Sequence, residues 1–349
     1  MTDRSFFTQN LLKWNKITNR RIMPWKGEKD PYKIWISEII LQQTRVEQGL
    51  KYYQRFISSF PTVSSISEAE EKHVYKKWEG LGYYMRCKNI IHTASHITRE
   101  LAGRFPSTYD GLLALKGIGV YTAAAIASFA YNLPYAVIDG NVFRLLSRFF
   151  GIDVPTDSTP GKHLFGELAG KLLDKKNPGV YNQAIMDFGG TVCKPVPDCA
   201  SCPLSKKCVA LKKGLVQNLP VKTKNITRRK RWIYYLVIEY KKRLYIKKRT
   251  ASDIWENLYE FMPIETRRQT RIPNLLKSKA FRDIFTTTGY EVQKISKVYE
   301  QQLTHQQITG QFIRIRTSDS LPLGEYALVT PKELVQLPFP KLISTYLKD

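Results

Sequence analysis

Leu115-Lys116-Gly117-Ile118-Gly119-Val120-Tyr121-Thr122-Ala123 is the stretch on which the reading of this chain turns. A tight Gly-x-Gly turn running into an Ala-rich helix leaves backbone N–H groups pointing outward at the positive end of the helix dipole. That arrangement suits a phosphate oxygen. About twenty residues on, Val137-Ile138-Asp139-Gly140-Asn141-Val142 places an aspartate between an apolar run and a second helix. An Asp there ordinarily caps the helix it precedes.

Working outward, residues 1–211 carry 3.6-residue apolar periodicity broken by short Gly- and Pro-containing loops, so a nearly all-helical region is expected. Its segments include 32–60, read as one run, and 73–77, 88–101, 121–129, 141–150 and 163–173. Residues 212–231 hold eight basic and no acidic side chains, and read as a linker. Beyond it, 232–349 alternates strand-like runs (232–240, 243–248, 311–316, 326–329) with a helix-like segment at 275–287, a smaller α+β domain.

The 349 residues allow two domains of ordinary size. Lys and Arg number 55 against 30 Asp and Glu, a formal charge of +25. This excess points to a polyanionic partner, because basic side chains bind phosphates with release of counterions. No export signal and no apolar run of membrane-spanning length is present, which leads to the expectation of a cytoplasmic protein with no membrane partner. Cys87 stands alone, while Cys193, Cys199, Cys202 and Cys208 cluster within sixteen residues. In a reducing compartment such a quartet reads as a metal or cluster site. The spacing alone leaves a [4Fe–4S] cluster and a structural zinc equally open. His92 and His96 share a helix face, yet the Glu of an HExxH motif is missing, and a surface helix is the better reading.

A pair of carboxyl groups can cleave a glycosidic bond, one as the acid that protonates the leaving group and the other as the negative charge that stabilises the cationic sugar. Glu38 lies in the apolar run Ile34-Trp35-Ile36-Ser37-Glu38-Ile39-Ile40. If buried, its carboxyl stays protonated and serves as that acid; taken on its own, a Glu on a solvated helix edge is the better reading.

Taken together, Leu41-Gln42-Gln43-Thr44, Gly80-Leu81-Gly82-Tyr83-Tyr84, the Gly117–Gly119 hairpin, Asp139-Gly140-Asn141-Val142 and the cysteine quartet resemble the adenine DNA glycosylases of the MutY type. These are helix-hairpin-helix, iron–sulfur enzymes. The resemblance covers most of residues 20–210 and, more weakly, the C-terminal domain, which resembles a Nudix fold through Asp253-Ile254-Trp255-Glu256-Asn257-Leu258-Tyr259-Glu260-Phe261. It implies a mainly α catalytic region with a cluster module followed by an α+β Nudix-like domain. Glu38 would protonate the leaving adenine, Asp139 would stabilise the sugar cation, and Tyr121 and Asn141 would hold the two carboxyls. Tyr121 stands where lyase members carry a lysine nucleophile, so hydrolysis without strand cutting is implied.

The resemblance further implies that Trp25 lines the adenine pocket and that Gln43, Leu81 and Tyr83 probe and wedge the duplex while the base is flipped out. Gly117 and Gly119 would meet phosphate. Thr304 and His305 in Leu303-Thr304-His305 would read 8-oxoguanine, and Cys193, Cys199, Cys202 and Cys208 would ligate a [4Fe–4S] cluster. The expected substrate is double-stranded DNA with A opposite 8-oxoguanine or G, bound by a monomer. Three positions depart from the family: Lys26 where some members have Arg, Leu303 in place of Phe, and five rather than six residues between the first two cysteines. Carboxylates are nearly absent from the helix near Phe281-Arg282-Asp283, so no second, pyrophosphate-cleaving activity is implied. Two other readings fit the residues less well. A pyrimidine-damage glycosylase with lyase activity lacks its lysine, and a non-catalytic damage binder would not need Glu38, Asp139 and Asn141 together.

Overall fold

In the computed structural model, residues 3–42, 44, 46–223, 227–286 and 288–349 are described. By their contacts they group into two units, Met1–Ser67 with His92–Asn225, and Glu68–Ile91 with Ile226–Asp349. The family reading divides the chain near residue 211; the contacts assign Glu68–Ile91 to the C-terminal unit.

The first unit is helical because its apolar residues recur at helical spacing and its breakers fall between the runs. Helices α1 (Asp3–Ile17), α2 (Pro31–Leu41), α3 (Val46–Ser59) and α4 (Val63–Glu68) lead to α5 (Glu71–Trp78) and α6 (Tyr84–Glu100), of which α5 and the start of α6 belong to the other unit. Then come α7 (Tyr109–Leu113), α8 (Val120–Tyr131), α9 (Gly140–Phe150), α10 (Thr159–Leu172), α11 (Pro178–Thr191) and the short α12 (Val209–Lys212). The run expected as one helix, 32–60, is two. Gln42 leaves α2 with ψ 108°. Gly49 lies so close to the end of α2 that a Cβ there would sit 2.9 Å from Leu41 Cδ2.

Helix α2 is buried over nearly its whole length. Asp30 caps it, its carboxylate accepting from Tyr32 N at 2.9 Å. It packs on α8, whose alanines at 123, 124, 125 and 127 are buried and allow close approach. A second cluster joins Phe7, Leu11 and Trp14 of α1 to Leu145, Leu146 and Phe149 of α9, Phe165 of α10 and Phe188 of α11. The first part of the expected linker belongs to this unit. Leu219 is buried, its carbonyl accepts from Arg148 Nε at 3.0 Å, and Thr223 N donates to Asp157 at 2.9 Å.

In the C-terminal unit the described strands form a mixed sheet. They are β1 (Arg229–Tyr240), β2 (Arg243–Lys248), β3 (Tyr259–Glu260), β4 (Met262–Thr266), β5 (Tyr290–Gln302), β6 (Gln306–Thr317) and β7 (Ala327–Val329). Their order is β3-β2-β1-β6-β5, with β4 also on β1 and β7 on β2. Only the β1–β6 pair among these is parallel, running from Arg229↔Gln306 to Glu239↔Arg316. The segment expected as one helix over 275–287 is α13 (Ile272–Leu276) and α14 (Lys279–Arg282), and α15 (Pro331–Gln336) and α16 (Lys341–Tyr346) close the chain. Strand β5 escapes the sequence pattern because register shifts at Val292/Lys294 and Ile295/Val298 break its alternation.

Candidate active site

Glu38 and Tyr121 come from the two helices packed at the heart of the first unit. The Tyr121 hydroxyl donates to Glu38 Oε2 at 2.6 Å, and Glu38 is 5% exposed. Burial pushes the Glu38 carboxyl up to about 7; the Tyr121 hydrogen bond opposes this and the nearby Asp139 charge adds to it. Burial likewise raises the Tyr121 phenol well above its ordinary value. The pair is therefore a carboxylic acid held by a neutral phenol.

Asp139 is a helix cap and more. Its Oδ1 accepts from the N–H groups of Asn141 and Val142 at 2.9 and 2.7 Å, and its Oδ2 from Asn141 Nδ2 at 2.7 Å. Burial raises its pKa against the pull of these donors and of Arg144. Arg144 Nη2 donates to Asn141 Oδ1 at 2.8 Å and to the Gly189 carbonyl at 2.7 Å, and Arg144 Nε donates to the Cys193 carbonyl at 2.8 Å. Gly189 is required for this packing, since a Cβ would lie 2.7 Å from the Asn141 carbonyl oxygen. Nothing in the sequence marks Arg144 or Gly189, since neither stands in a motif.

The hairpin has the expected geometry. Gly117 adopts φ +80°, Gly119 is the N-cap of α8 with no side-chain cap bond, and nothing lies within 4 Å of a Cβ built on it. The space beside Gly119 is open and no side chain caps the first turn of α8, so a phosphate oxygen fits there. Trp25 is buried edge-on against Tyr53, with centroids 5.4 Å apart. Next to it lies a buried carboxylate that the sequence did not reveal, Asp187 of α11. It accepts from Asn19 Nδ2 at 2.9 Å, Arg21 Nη1 at 3.2 Å and Lys26 Nζ at 3.2 Å, and so fastens the 19–26 loop on which Trp25 sits.

Cys193, Cys199, Cys202 and Cys208 line one apolar cavity of about 30 Å3 with Leu145, Phe149 and Val192. Arg148, 4% exposed, holds the loop through the carbonyls of Lys194 and Pro195 at 2.8 and 3.0 Å. Among the described residues no three acidic, His or Cys side chains converge tightly enough for a single ion. Four thiol sulfurs lining one largely apolar cavity are a donor set that fits an iron–sulfur cluster. On the same loop, Lys207 Nζ pairs with Asp3 Oδ1 at 2.9 Å.

In the C-terminal unit, Tyr83 is 44% exposed and adopts φ +48° between Gly80 (φ +93°), Gly82 (φ +73°) and α6. Its hydroxyl is in hydrogen-bond contact with that of Thr304. His305 is exposed on the same β5–β6 loop, its carbonyl accepting from Arg229 N at 2.9 Å. Leu81, by contrast, is buried at 9% exposure, with the apolar side chain turned in rather than offered. Gln43 lies outside the described residues.

Residues 36–164 match the HhH-GPD superfamily of base excision DNA repair proteins, and residues 233–349 match the NUDIX domain. The adenine DNA glycosylase of Buchnera aphidicola subsp. Schizaphis graminum is 38% identical over 267 residues, 76% of each chain. This chain belongs to the adenine DNA glycosylase family. The human member is 37% identical over 214 residues, 58% of this chain and 39% of that one. Among solved structures, a thermostable thymine-DNA glycosylase superposes with TM-score 0.56 at 29% identity, covering 60% of this chain and 97% of that one. An endonuclease III–DNA complex shares the fold at TM-score 0.53 and 20% identity, covering 62% and 99%. The glycosylase family's helical fold is thus the one that carries Glu38, Tyr121 and Asp139, and no described helix is long and apolar enough to cross a membrane.

Proposed function

We propose that the chain hydrolyses the N-glycosidic bond of adenine opposite 8-oxoguanine or G in double-stranded DNA, without cutting the strand. The single observation that carries this reading is the buried Glu38–Tyr121 pair, an acid kept protonated near neutrality and aimed by a phenol. Glu38 donates its proton to the departing adenine and, once ionised, orients the attacking water. Asp139, its carboxyl hydrogen-bonded by two backbone N–H groups and the Asn141 amide, stabilises the oxocarbenium-like sugar. Tyr121 has no amine, so no Schiff base forms there and no lyase step follows.

Trp25 bounds the base pocket, with Asp187 holding its loop. Gly117 and Gly119 take backbone phosphate, Gln43 and Tyr83 act at the helix opening, and Thr304 and His305 read the opposite base. Cys193, Cys199, Cys202 and Cys208 are the ligands of a [4Fe–4S] cluster, which fixes the loop that Arg144 and Arg148 tie to α9. Its test is metal and sulfide analysis of the purified chain: about four iron atoms per chain support it, and zinc in their place contradicts it. The glycosylase reading is tested by single-turnover assays on duplexes carrying A opposite 8-oxoguanine, A opposite G or an oxidised pyrimidine. Strand breaks that need alkali, fastest for A opposite 8-oxoguanine, support it. Breaks without alkali at the oxidised pyrimidine favour the lyase reading, and binding without release on any duplex favours a damage binder.

A further inference from the structure

The loop Asp253–Leu258, marked by the sequence as Nudix-like, has no part in the chemistry above, yet it is firmly built. Arg249 Nη2 pairs with Asp253 at 2.5 Å, Trp255 is 2% exposed, and Asn257 adopts φ +69°, a conformation Asn tolerates better than most residues. The loop presents two side chains to the segment Glu68–Ile91 of its own unit. Asn257 Nδ2 donates to the Tyr75 hydroxyl of α5 at 3.1 Å, and Glu256 pairs with Lys88 of α6 at 2.7 Å.

From α16, the Ser344 hydroxyl donates to Glu79. Glu79 in turn pairs with Lys76 at 2.7 Å, whose ammonium donates to the Leu337 carbonyl at 2.9 Å. These anchors lie on both sides of the Gly80-Leu81-Gly82-Tyr83 turn. Three of its four residues hold positive φ, and for Tyr83, which has a Cβ, such a backbone persists only when its surroundings enforce it.

We infer that Ser344, Asn257 and Glu256 are positioning residues for base extrusion: they clamp α5 and the start of α6 and thereby set Tyr83 at the height needed to enter the duplex. The Nudix-like domain then has two separable tasks, reading the opposite base through Thr304 and His305 and holding the wedge through this clamp. Partly exposed pairs of this kind contribute little to stability, so their loss shows in placement, where an error of an ångström is expensive. The assignment rests on the glycosylase reading for the use of the wedge, but extrusion is measurable apart from base release.

The test uses the full chain and two duplexes with 2-aminopurine in place of the target adenine, opposite 8-oxoguanine or G, its fluorescence reporting unstacking. In Ser344→Ala with Asn257→Gly, a change that keeps the positive φ, extrusion falls about tenfold on both duplexes with their ratio kept. Ser344→Ala alone falls part-way, Ser344→Thr stays near wild type, and in a Tyr83→Ala background the anchor changes add nothing. Wild-type extrusion in both Ser344→Ala and the double variant, a loss confined to the 8-oxoguanine duplex, or full additivity with Tyr83→Ala overturns the inference. Absent adenine release by the wild-type chain with extrusion intact overturns the glycosylase reading instead and leaves the clamp standing.

Discussion

Two buried glutamates, one in each unit, face opposite conditions. Glu260 of the C-terminal sheet is 3% exposed and in contact with the guanidinium of Arg249, which also holds Asp253. Burial raises its carboxyl, and the Arg249 charge works against that rise. Glu38 of the helical unit is as deeply buried, but its hydrogen-bond partner is a phenol and the Asp139 charge raises its carboxyl further. A buried carboxylate given a cation is a structural tie; one denied a cation is an acid in waiting. The fold accepts an unfavourable electrostatic environment at Glu38 and offsets it in part at Glu260 with the Arg249 charge, the asymmetry expected where one region does chemistry and the other reads and holds.

The largest test of that contrast is Glu38→Gln. Single-turnover adenine release should drop by at least about 10^3-fold whichever base lies opposite, while binding to the duplex persists. Glu260→Gln should leave release nearly intact in the folded fraction.

Stability should move in opposite directions. Glu38 has a folded pKa above its unfolded one. Its contribution is therefore fully present below the unfolded value and is lost as pH rises through about 7. Replacing it by Gln should raise unfolding free energy by about 3 kcal/mol near pH 8, a gain that shrinks to nothing near pH 4. Glu260→Gln should instead cost about 3 kcal/mol by leaving Arg249 short of a partner. Chemical denaturation of both variants at the two pH values reads this, and equal signs would erase the distinction.

The smallest effect belongs to the reading loop. Thr304→Ala with His305→Ala should reduce the preference for A opposite 8-oxoguanine over A opposite G by about tenfold, with the rate on A opposite G nearly unchanged. A parallel fall on both duplexes would move lesion reading elsewhere.

What the sequence revealed was local. A Gly-x-Gly turn before an Ala-rich helix, an apolar run around one Glu, and four crowded cysteines all fall within single segments, and their physics is visible there. Asp187 looked ordinary in Met186-Asp187-Phe188, because the side chains that explain it, Asn19, Arg21 and Lys26, lie more than 160 residues away. Arg144 and Gly189 are likewise intelligible only once α9 and α11 touch. Strand β5 hid behind its bulges, and the break between α2 and α3 behind a close approach at Gly49. Glu68–Ile91 groups with the C-terminal unit through residues far apart in the chain, Glu79 and Ser344 among them, a proximity that no periodicity announces.

The pH dependence of single-turnover adenine release, from a duplex with A opposite 8-oxoguanine, tests the role of Glu38 most directly. The expected rate declines as pH rises through about 7, where Glu38 loses the proton it must donate, and Glu38→Gln shows no such limb because it shows no release. A wild-type rate that stays level to about pH 9, or a Glu38→Gln chain that releases adenine at the wild-type rate, would contradict the assignment of Glu38 as the acid.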